Sequence, residues 1–587
     1  MNRVGGIVRR HRWPIVSAAG LLLAVAYHAV WLVRMRNGFP VDIDEAGYLS
    51  IAYGNLDALH AGGLDGLWES FSTNAPNAPL VPLLTVPFLE VREGILPAFG
   101  VEWLALVVLG AAVYALARRL VEGPWAALAV LTVTAMPGVV NYTREFSFAV
   151  PSAAAFTVAL WALVRNRNFE SLPLAVAWGA AAGLAALSRT MALAILPGLV
   201  LAAVAWAALA PPGHRVRAAR NLLIGTLAGV AVAATWYVRN LGAVIDYLTG
   251  YGYGGESAAY GAEHGWFTYD RWTQALYTIT TQELFVPLLA VTVAVGVVAL
   301  GFAARALARP GARARLARWT RSPAMPVAVF VLCGYLALSS STNTGSAFAL
   351  TILPAALVLV VALAARFRPV ALRRITAGAL IAVAALQLLS FAQVGTPADD
   401  LRHAVVPTLG HAPITDPRAP AIMRNALDPE APRFAAVDRE WLESTQRLIT
   451  ESEARAAAAG RSPVVGFGNH DIVMNTNFVN LAARLGGRVP APLAQLTPAL
   501  RGDTVEAYES VLEDPMYGQP NVLVTSGDER RDFEPVATQS MVVAAARRLG
   551  FQPFGRVAQP NGELLTLWWL DRGPSIPSAP EPAKATG

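Results

Sequence analysis

Residues 13–48 read WPIVSAAGLLLAVAYHAVWLVRMRNGFPVDIDEAGY, and this stretch decides the class of the fold. Its first part, as far as Val33, carries no charged side chain and is long enough to cross a bilayer, which takes about 20 helical residues. The run is long for a signal peptide and no clear cleavage site follows it, so we predict a retained helix. Three carboxylates, Asp42, Asp44 and Glu45, follow this helix in the next part of the chain.

Composition extends this interpretation to most of the chain. Of the 587 residues, 55% are hydrophobic and 15% are charged, whereas soluble domains carry about 25% charged residues. The sequence therefore predicts a polytopic α-helical membrane protein and argues against a soluble enzyme. The single cysteine, Cys333, excludes an intramolecular disulfide and argues against a cysteine-based zinc site.

Apolar runs of nearly bilayer-spanning length recur through the first two-thirds of the chain and predict about eleven transmembrane helices. The predicted spans are 13–33, 95–117, 124–140, 148–164, 171–187, 190–210, 221–238, 284–304, 324–339, 347–364 and 375–393.

The arginines predict the orientation of these spans. Lys584 is the only lysine, a bias typical of a GC-rich bacterial genome, and the arginines lie in short clusters between apolar runs, so we expect no nucleic-acid partner. If the N-terminus is cytoplasmic, the clusters near 118, 165, 215–220, 305–321 and 366–374 all fall inside, as the positive-inside rule requires. Arg34 and Arg36 are the exceptions. We therefore expect a protein of the inner (plasma) membrane with an extracytoplasmic C-terminal region.

Composition also predicts the domains. Residues 1–393 form the membrane module, with external loops at 35–94 and 239–283, and Pro-punctuated Leu80–Leu89 is expected to form a short outer-leaflet or re-entrant helix. Residues 394–573 are more polar and predict a small extracytoplasmic α/β domain. Residues 574–587 are rich in Pro, Ala and Ser and are expected to be disordered. Gly466-Phe467-Gly468 permits a phosphate loop or a plain strand-to-helix turn, and the latter is favoured because no P-loop lysine follows.

The acidic loop has two explanations. Asp42 or Asp44 could cap the amphipathic helix that follows, by accepting hydrogen bonds from free backbone N–H groups. Alternatively, one carboxylate is a catalytic base at the membrane interface, where partial desolvation raises its pKa.

Several segments, taken in order, resemble the GT-C glycosyltransferases, and most closely the branch of protein O-mannosyltransferases and lipid A aminoarabinose transferases. Each is weak alone, but their order and predicted sidedness agree over residues 13–260. The segments are Asp44-Glu45-Ala46-Gly47-Tyr48, Asn77-Ala78-Pro79-Leu80, Tyr142-Thr143-Arg144-Glu145, Gly183–Thr190 with Leu196-Pro197, and Trp236-Tyr237-Val238-Arg239-Asn240.

The resemblance implies transfer of a sugar from a polyprenyl-phosphate donor, with inversion, to a lipid, glycan or protein acceptor. Asp44 matches the family's base, with Glu45 or Asp42 supporting it. The leaving phosphate needs cationic donors. The residues at or near external span ends that could supply them are Arg144, Arg189 and Arg239, although each also fits an interface anchor.

Other residues complete the expected substrate region. Tyr48 belongs to the first motif, and Glu145 could replace an Asp that the branch carries where this chain has Ala149. Aromatic residues of the second external loop, including Tyr251, Tyr253 and Trp266, could stack on sugars or form an interfacial belt. The sequence indicates no certain cofactor. A requirement for a divalent cation is left open. Glu263 and His264 could ligate a metal, but the sequence shows no third ligand beside them.

Two other functions are compatible with many spans. A transporter or lipid flippase would carry ionisable residues at mid-membrane and internal repeats, which this sequence lacks. A non-catalytic cell-envelope scaffold would need only the exported domain.

Overall fold

The computed structural model describes residues 2–36, 42–73, 76–254, 268–341, 343, 345, 347–393, 398–413, 420–428, 434–468, 474–488, 491, 493–495, 504–515, 518–527 and 539–573, without the side chains of 2–11, 251, 398, 434–438 and 494–495. The chain divides into two compact units. The first is Met1–Met35 with Ile51–Ala431, and the second is Arg36–Ser50 with Pro432–Gly587.

The first unit is helical throughout. Its helices, including the one shared with the second unit, are α1 (Asn2–Met35), α2 (Ile43–Thr73), α3 (Leu80–Val91), α4 (Ile95–Ala98), α5 (Gly100–Ala117), α6 (Gly123–Thr134), α7 (Pro137–Tyr142), α8 (Ala149–Arg165), α9 (Leu172–Ser188), α10 (Leu196–Ala208), α11 (Arg215–Tyr253), α12 (Tyr269–Thr278), α13 (Phe285–Leu307), α14 (Ala312–Thr320), α15 (Ala324–Ser340), α16 (Leu353–Ala364), α17 (Val370–Ser390), α18 (Ala398–Val405) and α19 (Ala421–Leu427).

Every predicted span coincides with an apolar helix or a broken pair of helices. Within the described residues, six helical segments are long and apolar enough to cross a membrane, and the bent pair α14–α15 makes a seventh. The other predicted spans correspond to α6, α8, α9 and α16, which are 10–17 residues long. Helices are expected here because a bilayer offers no hydrogen-bond partners to an open backbone. The polytopic α-helical fold class is confirmed.

Two segments differ in detail from the prediction. Helix α11 continues to Tyr253, well past the predicted span end at Val238, so its 39 residues extend about 58 Å at 1.5 Å per residue. This length exceeds the roughly 30 Å hydrocarbon core, so the more polar end of α11 forms the start of the predicted loop 239–283. Leu80–Val91 forms the short helix that its prolines predicted.

Helices α9 and α11 pack through two pairs of glycines spaced four residues apart. The pairs are Gly179 with Gly183 on α9, and Gly225 with Gly229 on α11. A Cβ on Gly183 would lie 2.6 Å from the carbonyl oxygen of Gly229, and one on Gly229 would lie 2.7 Å from that of Gly179. The two backbones therefore touch, as small residues allow in membranes.

The second unit contains a five-stranded sheet with helices α20 (Phe434–Ala458), α21 (Thr476–Leu485), α22 (Val505–Glu513) and α23 (Gln539–Arg548). The strands are β1 (Val465–Phe467), β2 (Leu493–Gln495), β3 (Val522–Ser526), β4 (Gln552–Ala558) and β5 (Leu564–Trp569), in the order β2-β1-β3-β5-β4. Strands β2, β1 and β3 are parallel, and β5 and β4 complete the sheet antiparallel.

The predicted small α/β domain is confirmed as a fold. Strand β4 carries Pro553 and a register shift between Pro553 and Gly555, features that are confined to edge strands. Gly468 follows β1 directly, and its backbone N–H donates a hydrogen bond to the carbonyl oxygen of Val524 on β3 at 2.9 Å. The domain boundaries predicted at 393/394 and 573/574 stay predictions, as does disorder of 574–587, which lies outside the described residues.

Candidate active site

The acidic loop begins helix α2, and two of its carboxylates have structural partners. Asp42 Oδ1 accepts the backbone N–H of Glu45 at 2.8 Å, so Asp42 caps the helix. Glu45 is fully buried, and its carboxylate accepts hydrogen bonds from both terminal nitrogens of Arg36, at 2.8 and 2.7 Å. Asp44 lies on the exposed side of the first turn. Asp42 therefore fits the capping explanation of the loop. Asp44, the exposed carboxylate, is the one that fits the catalytic explanation.

Arg36, one of the two exceptions to the predicted arginine alternation, is buried. It is 2% exposed, and its planar fork engages both carboxylate oxygens of Glu45.

A contact from the folded domain holds the same turn of α2. Asn477 on α21 donates from Nδ2 to the carbonyl oxygen of Ile43 at 3.0 Å. A Cβ on Gly47 would lie 2.9 Å from that same nitrogen, so glycine permits the approach. Tyr48, the residue after Gly47, is half-buried. The candidate base is therefore carried on a turn with a fixed backbone.

Arg144 lies in the interior of the first unit. Its Nη1 donates to the carbonyl oxygen of Phe391 at 2.7 Å and its Nε to His28 Nδ1 at 3.2 Å. The guanidinium also stacks on Trp31 and Tyr27, with 4.3 and 4.8 Å from its Cζ to the ring centroids. These contacts join the loop after α7 to α1 and to the end of α17, so Arg144 has the surroundings of a structural residue.

Glu145, the neighbour of Arg144, is also buried. Its carboxylate accepts a hydrogen bond from Asn141 Nδ2 at 3.2 Å. The side-chain oxygen of Asn141 accepts a hydrogen bond from the backbone N–H of Met423 at 2.7 Å. Asn141 therefore connects the carboxylate to α19.

Arg189 and Tyr253 line one cleft. Arg189 follows α9 directly, with its guanidinium 4.3 Å from the ring of Phe348. The cleft is walled mainly by apolar side chains from the segment after α9 and from α11 and α15. Ser341 and Asn343 add polar groups. The cleft is narrow, with a volume of about 30 Å³, and Arg189 is the charged residue among its described lining residues.

Arg239 lies on α11 beside α2. Its Nη1 donates to Ser72 Oγ at 2.6 Å and lies 3.3 Å from Glu69 Oε2. The next residue, Asn240, donates to the carbonyl oxygen of Ser72 at 2.8 Å. The Arg239 side chain is 54% exposed, so it remains accessible to a ligand although it also joins two helices.

Glu283 is a residue that the sequence analysis did not single out. It is fully buried in a π-helical turn, Ile279–Leu284, and Phe285 after it has φ 60°. π-helical turns and left-handed non-glycine residues concentrate at functional sites. Its Oε1 accepts a hydrogen bond from the backbone N–H of Ala347 at 2.7 Å, next to Phe348, on whose ring the Arg189 guanidinium stacks.

Glycine at 138 makes room for this carboxylate, because a Cβ there would overlap Glu283 Oε2. The signal that could have identified Glu283 is an acidic residue directly before an apolar span, at 284–304.

Some predicted residues cannot be placed. Trp266, Glu263, His264 and the side chain of Tyr251 lie outside the described residues. Among the residues that are described, no group of three His, Cys, Asp or Glu is arranged to hold a metal ion.

Comparison with known proteins bears on this geometry. Residues 76–238 match the family model of dolichyl-phosphate-mannose-protein mannosyltransferases. The matched region includes Arg144, Glu145 and Arg189, and it ends one residue before Arg239. No curated protein matches the sequence significantly.

A solved structure shares the fold. The archaeal oligosaccharyltransferase AglB from Archaeoglobus fulgidus, in complex with an inhibitory peptide and a dolichol-phosphate, matches with TM-score 0.50 and 11% identity over 95% of this chain and 74% of that chain. ArnT from Cupriavidus metallidurans in the apo state gives TM-score 0.49 and 14% identity over 95% and 98% of the two chains. The resemblance to GT-C glycosyltransferases that the motifs predicted is confirmed, by the family match over residues 76–238 and by the fold.

Proposed function

We propose that the protein is a membrane glycosyltransferase that transfers a sugar from a polyprenyl-phosphate donor to an extracytoplasmic acceptor. The match of residues 76–238 to a family named for a dolichyl-phosphate-mannose donor carries this proposal. Whether the sugar is a hexose or a pentose, and whether the acceptor is protein, glycan or lipid, is left open by that match.

In the proposed reaction, Asp44 is the general base. The acceptor hydroxyl oxygen attacks the anomeric carbon while the bond from that carbon to the phosphate oxygen breaks, which inverts the configuration. The acceptor proton moves to the Asp44 carboxylate, and polyprenyl phosphate leaves with the bonding electrons. The exposure of Asp44 supports this role, whereas Asp42 and Glu45 hold the helix start through their contacts.

We propose that Arg189 binds the donor phosphate. It lines a cleft whose walls are mainly apolar, and its guanidinium can donate two parallel hydrogen bonds to a phosphate. In this proposal Tyr253, which lines the same cleft, contacts the sugar or the phosphate. Arg239, half-exposed and bonded to Ser72, is the second choice, and the contacts of Arg144 favour a structural role.

Glu283 fits this scheme as a positioning residue. Its Oε1 accepts the backbone N–H of Ala347 and so holds the backbone next to Phe348, on whose ring Arg189 stacks. Through this contact Glu283 favours one orientation of the Arg189 guanidinium.

The experiment that tests the proposed function measures donor consumption. Purified protein is incubated with a panel of radiolabelled polyprenyl-phosphate sugars, with and without a membrane extract as the source of acceptor. We expect transfer or hydrolysis of one donor by the wild type and a loss of at least 100-fold in Asp44→Asn. Absence of turnover with every donor, or full turnover in Asp44→Asn, would contradict the proposal and favour transport or a scaffold.

A further inference from the structure

A groove lies on the membrane module, formed by α1, α6 and α17. It has a volume of about 700 Å³, and α6 forms its floor by packing against both other helices. The helices α1 and α17 approach each other further along, where Tyr27 on α1 donates to the carbonyl oxygen of Leu388 at 2.7 Å. The groove therefore opens where these two helices diverge. None of its lining residues lines the Arg189 cleft.

The groove is polar at one end and apolar along the rest of its length. Arg373 and Arg374 on the first turn of α17, Trp125 on the first turn of α6, and Trp13 on α1 mark the polar end. Tryptophan and arginine are the residues that proteins place at the level of lipid headgroups. Further along, the lining includes Gly20, Leu128, Leu131, Ala377 and Ile381.

The length of the groove matches one leaflet. Its lining runs from Pro124 to Thr134 on α6 and from Val370 to Ile381 on α17. At 1.5 Å per residue these stretches are about 15 Å long. The hydrocarbon core of a bilayer is about 30 Å thick. A lipid whose headgroup lies at the arginine end would therefore place its acyl chains along the groove to about the bilayer centre.

Charge decides which lipid the groove fits. Neither Arg373 nor Arg374 forms an ion pair with the part of the chain that the structure describes, and no carboxylate is among the described lining residues. Ser17, 7% exposed, lines the groove with a hydroxyl that has no hydrogen-bond partner among the described residues. Two cationic donors and an unused hydroxyl complement a phosphodiester that keeps a net negative charge.

We infer that this groove binds an anionic phospholipid, with the phosphate at Arg373 and Arg374 and the acyl chains along α6. Two guanidinium groups leave an excess of positive charge beside a zwitterionic headgroup, so a lipid such as phosphatidylglycerol is preferred to phosphatidylcholine. The bound lipid fills the space between the diverging ends of α1 and α17, so it is a structural ligand at a site separate from the proposed donor cleft.

The test measures retention of defined lipids by the purified full-length protein. The protein is exchanged into detergent micelles that contain phosphatidylglycerol and phosphatidylcholine with identical chains, and bound lipid is counted by native mass spectrometry. We expect the wild type to retain phosphatidylglycerol at least ten times more than phosphatidylcholine. The Arg373→Gln/Arg374→Gln variant should lose that preference, whereas Arg366→Gln/Arg368→Gln, with the same charge change nearby but outside the groove, should keep it.

A second variant tests the groove itself without removing charge. A Cβ on Gly20 meets no atom within 4 Å, so Gly20→Leu extends into open space and blocks the acyl chains while the helices keep their packing. We expect Gly20→Leu to lower phosphatidylglycerol retention at least fivefold. The inference would be overturned by any of three results. These are equal loss of lipid preference in the two double-arginine variants, equal retention of the two lipids by the wild type, and full phosphatidylglycerol retention in Gly20→Leu. Because the readout is lipid retention, it is independent of sugar transfer.

Discussion

At the scale of single residues, the acidic loop shows how three neighbouring carboxylates take different roles. Asp42 accepts a backbone N–H, Glu45 engages a buried arginine, and Asp44 faces solvent. The three side chains have the same chemistry, so the difference comes from the direction that each takes from the first turn of α2. Only Asp44 combines the motif position with access for an acceptor.

The first prediction separates the base from its neighbour. Asp44→Asn removes a proton acceptor and keeps the side-chain shape, so the rate of sugar transfer should fall by about 10²–10⁴-fold with the melting temperature unchanged. Asp42→Asn is the matched control, since asparagine caps a helix as well as aspartate, and its rate should stay within threefold of the wild type. The two variants losing activity equally would contradict this assignment.

The second prediction ranks the arginines. Arg189→Gln removes a charge-assisted contact worth roughly 1.5–3 kcal/mol, so the affinity for polyprenyl phosphate should fall by about 10–100-fold. Arg239→Gln, which breaks an exposed pair with Glu69, should change that affinity less than threefold. Binding is measured by displacement of a fluorescent polyprenyl phosphate from both purified variants. A larger loss of affinity in Arg239→Gln than in Arg189→Gln would assign phosphate binding to Arg239 instead.

At the scale of elements, the crossing of α9 and α11 places Arg189. The glycines of both helices let their backbones touch, and Arg189 leaves α9 directly after the crossing in an extended conformation, φ −160°. Tyr253 lies at the far end of α11. Leu248, Gly252 and Tyr253 of this end of α11 line the cleft together with Arg189.

The third prediction concerns this crossing. Gly229→Ala inserts a methyl group 2.7 Å from the carbonyl oxygen of Gly179, which should destabilise the protein by about 1–3 kcal/mol. Gly242→Ala on the same helix meets no atom within 4 Å, and the intrinsic preference of alanine for helix should leave stability equal or slightly higher. Thermal unfolding in one detergent compares them. A Gly229→Ala variant as stable as Gly242→Ala would show that the helices separate easily.

At the scale of the whole molecule, the fourth prediction concerns sidedness. The arginine alternation predicts that Asp44 and the C-terminal domain lie outside the cytoplasm. A fusion after Arg572 of a fluorescent protein that matures only in the cytoplasm should therefore stay dark, whereas alkaline phosphatase at the same position should be active. Bright fluorescence would mean that the predicted number of spans is wrong by one. Leu80–Val91, at 12 residues, would be the first helix to reconsider.

The sequence by itself determined the helical membrane class, the approximate position of every span and the α/β class of the C-terminal domain. These properties depend on local hydrophobicity, and an apolar run in a bilayer has few alternatives to helix. The family resemblance was also readable, because its motifs are short and contiguous.

Only the tertiary structure decided which residues act together. The Arg36–Glu45 pair, the stacking of Arg144 on Trp31 and Tyr27, and the placement of Arg189 with Tyr253 join residues through backbone breaks and helix crossings. Glu283 illustrates the reason. Its burial depends on a glycine at 138, far away in the sequence, and no local pattern records which distant residue leaves room for a side chain.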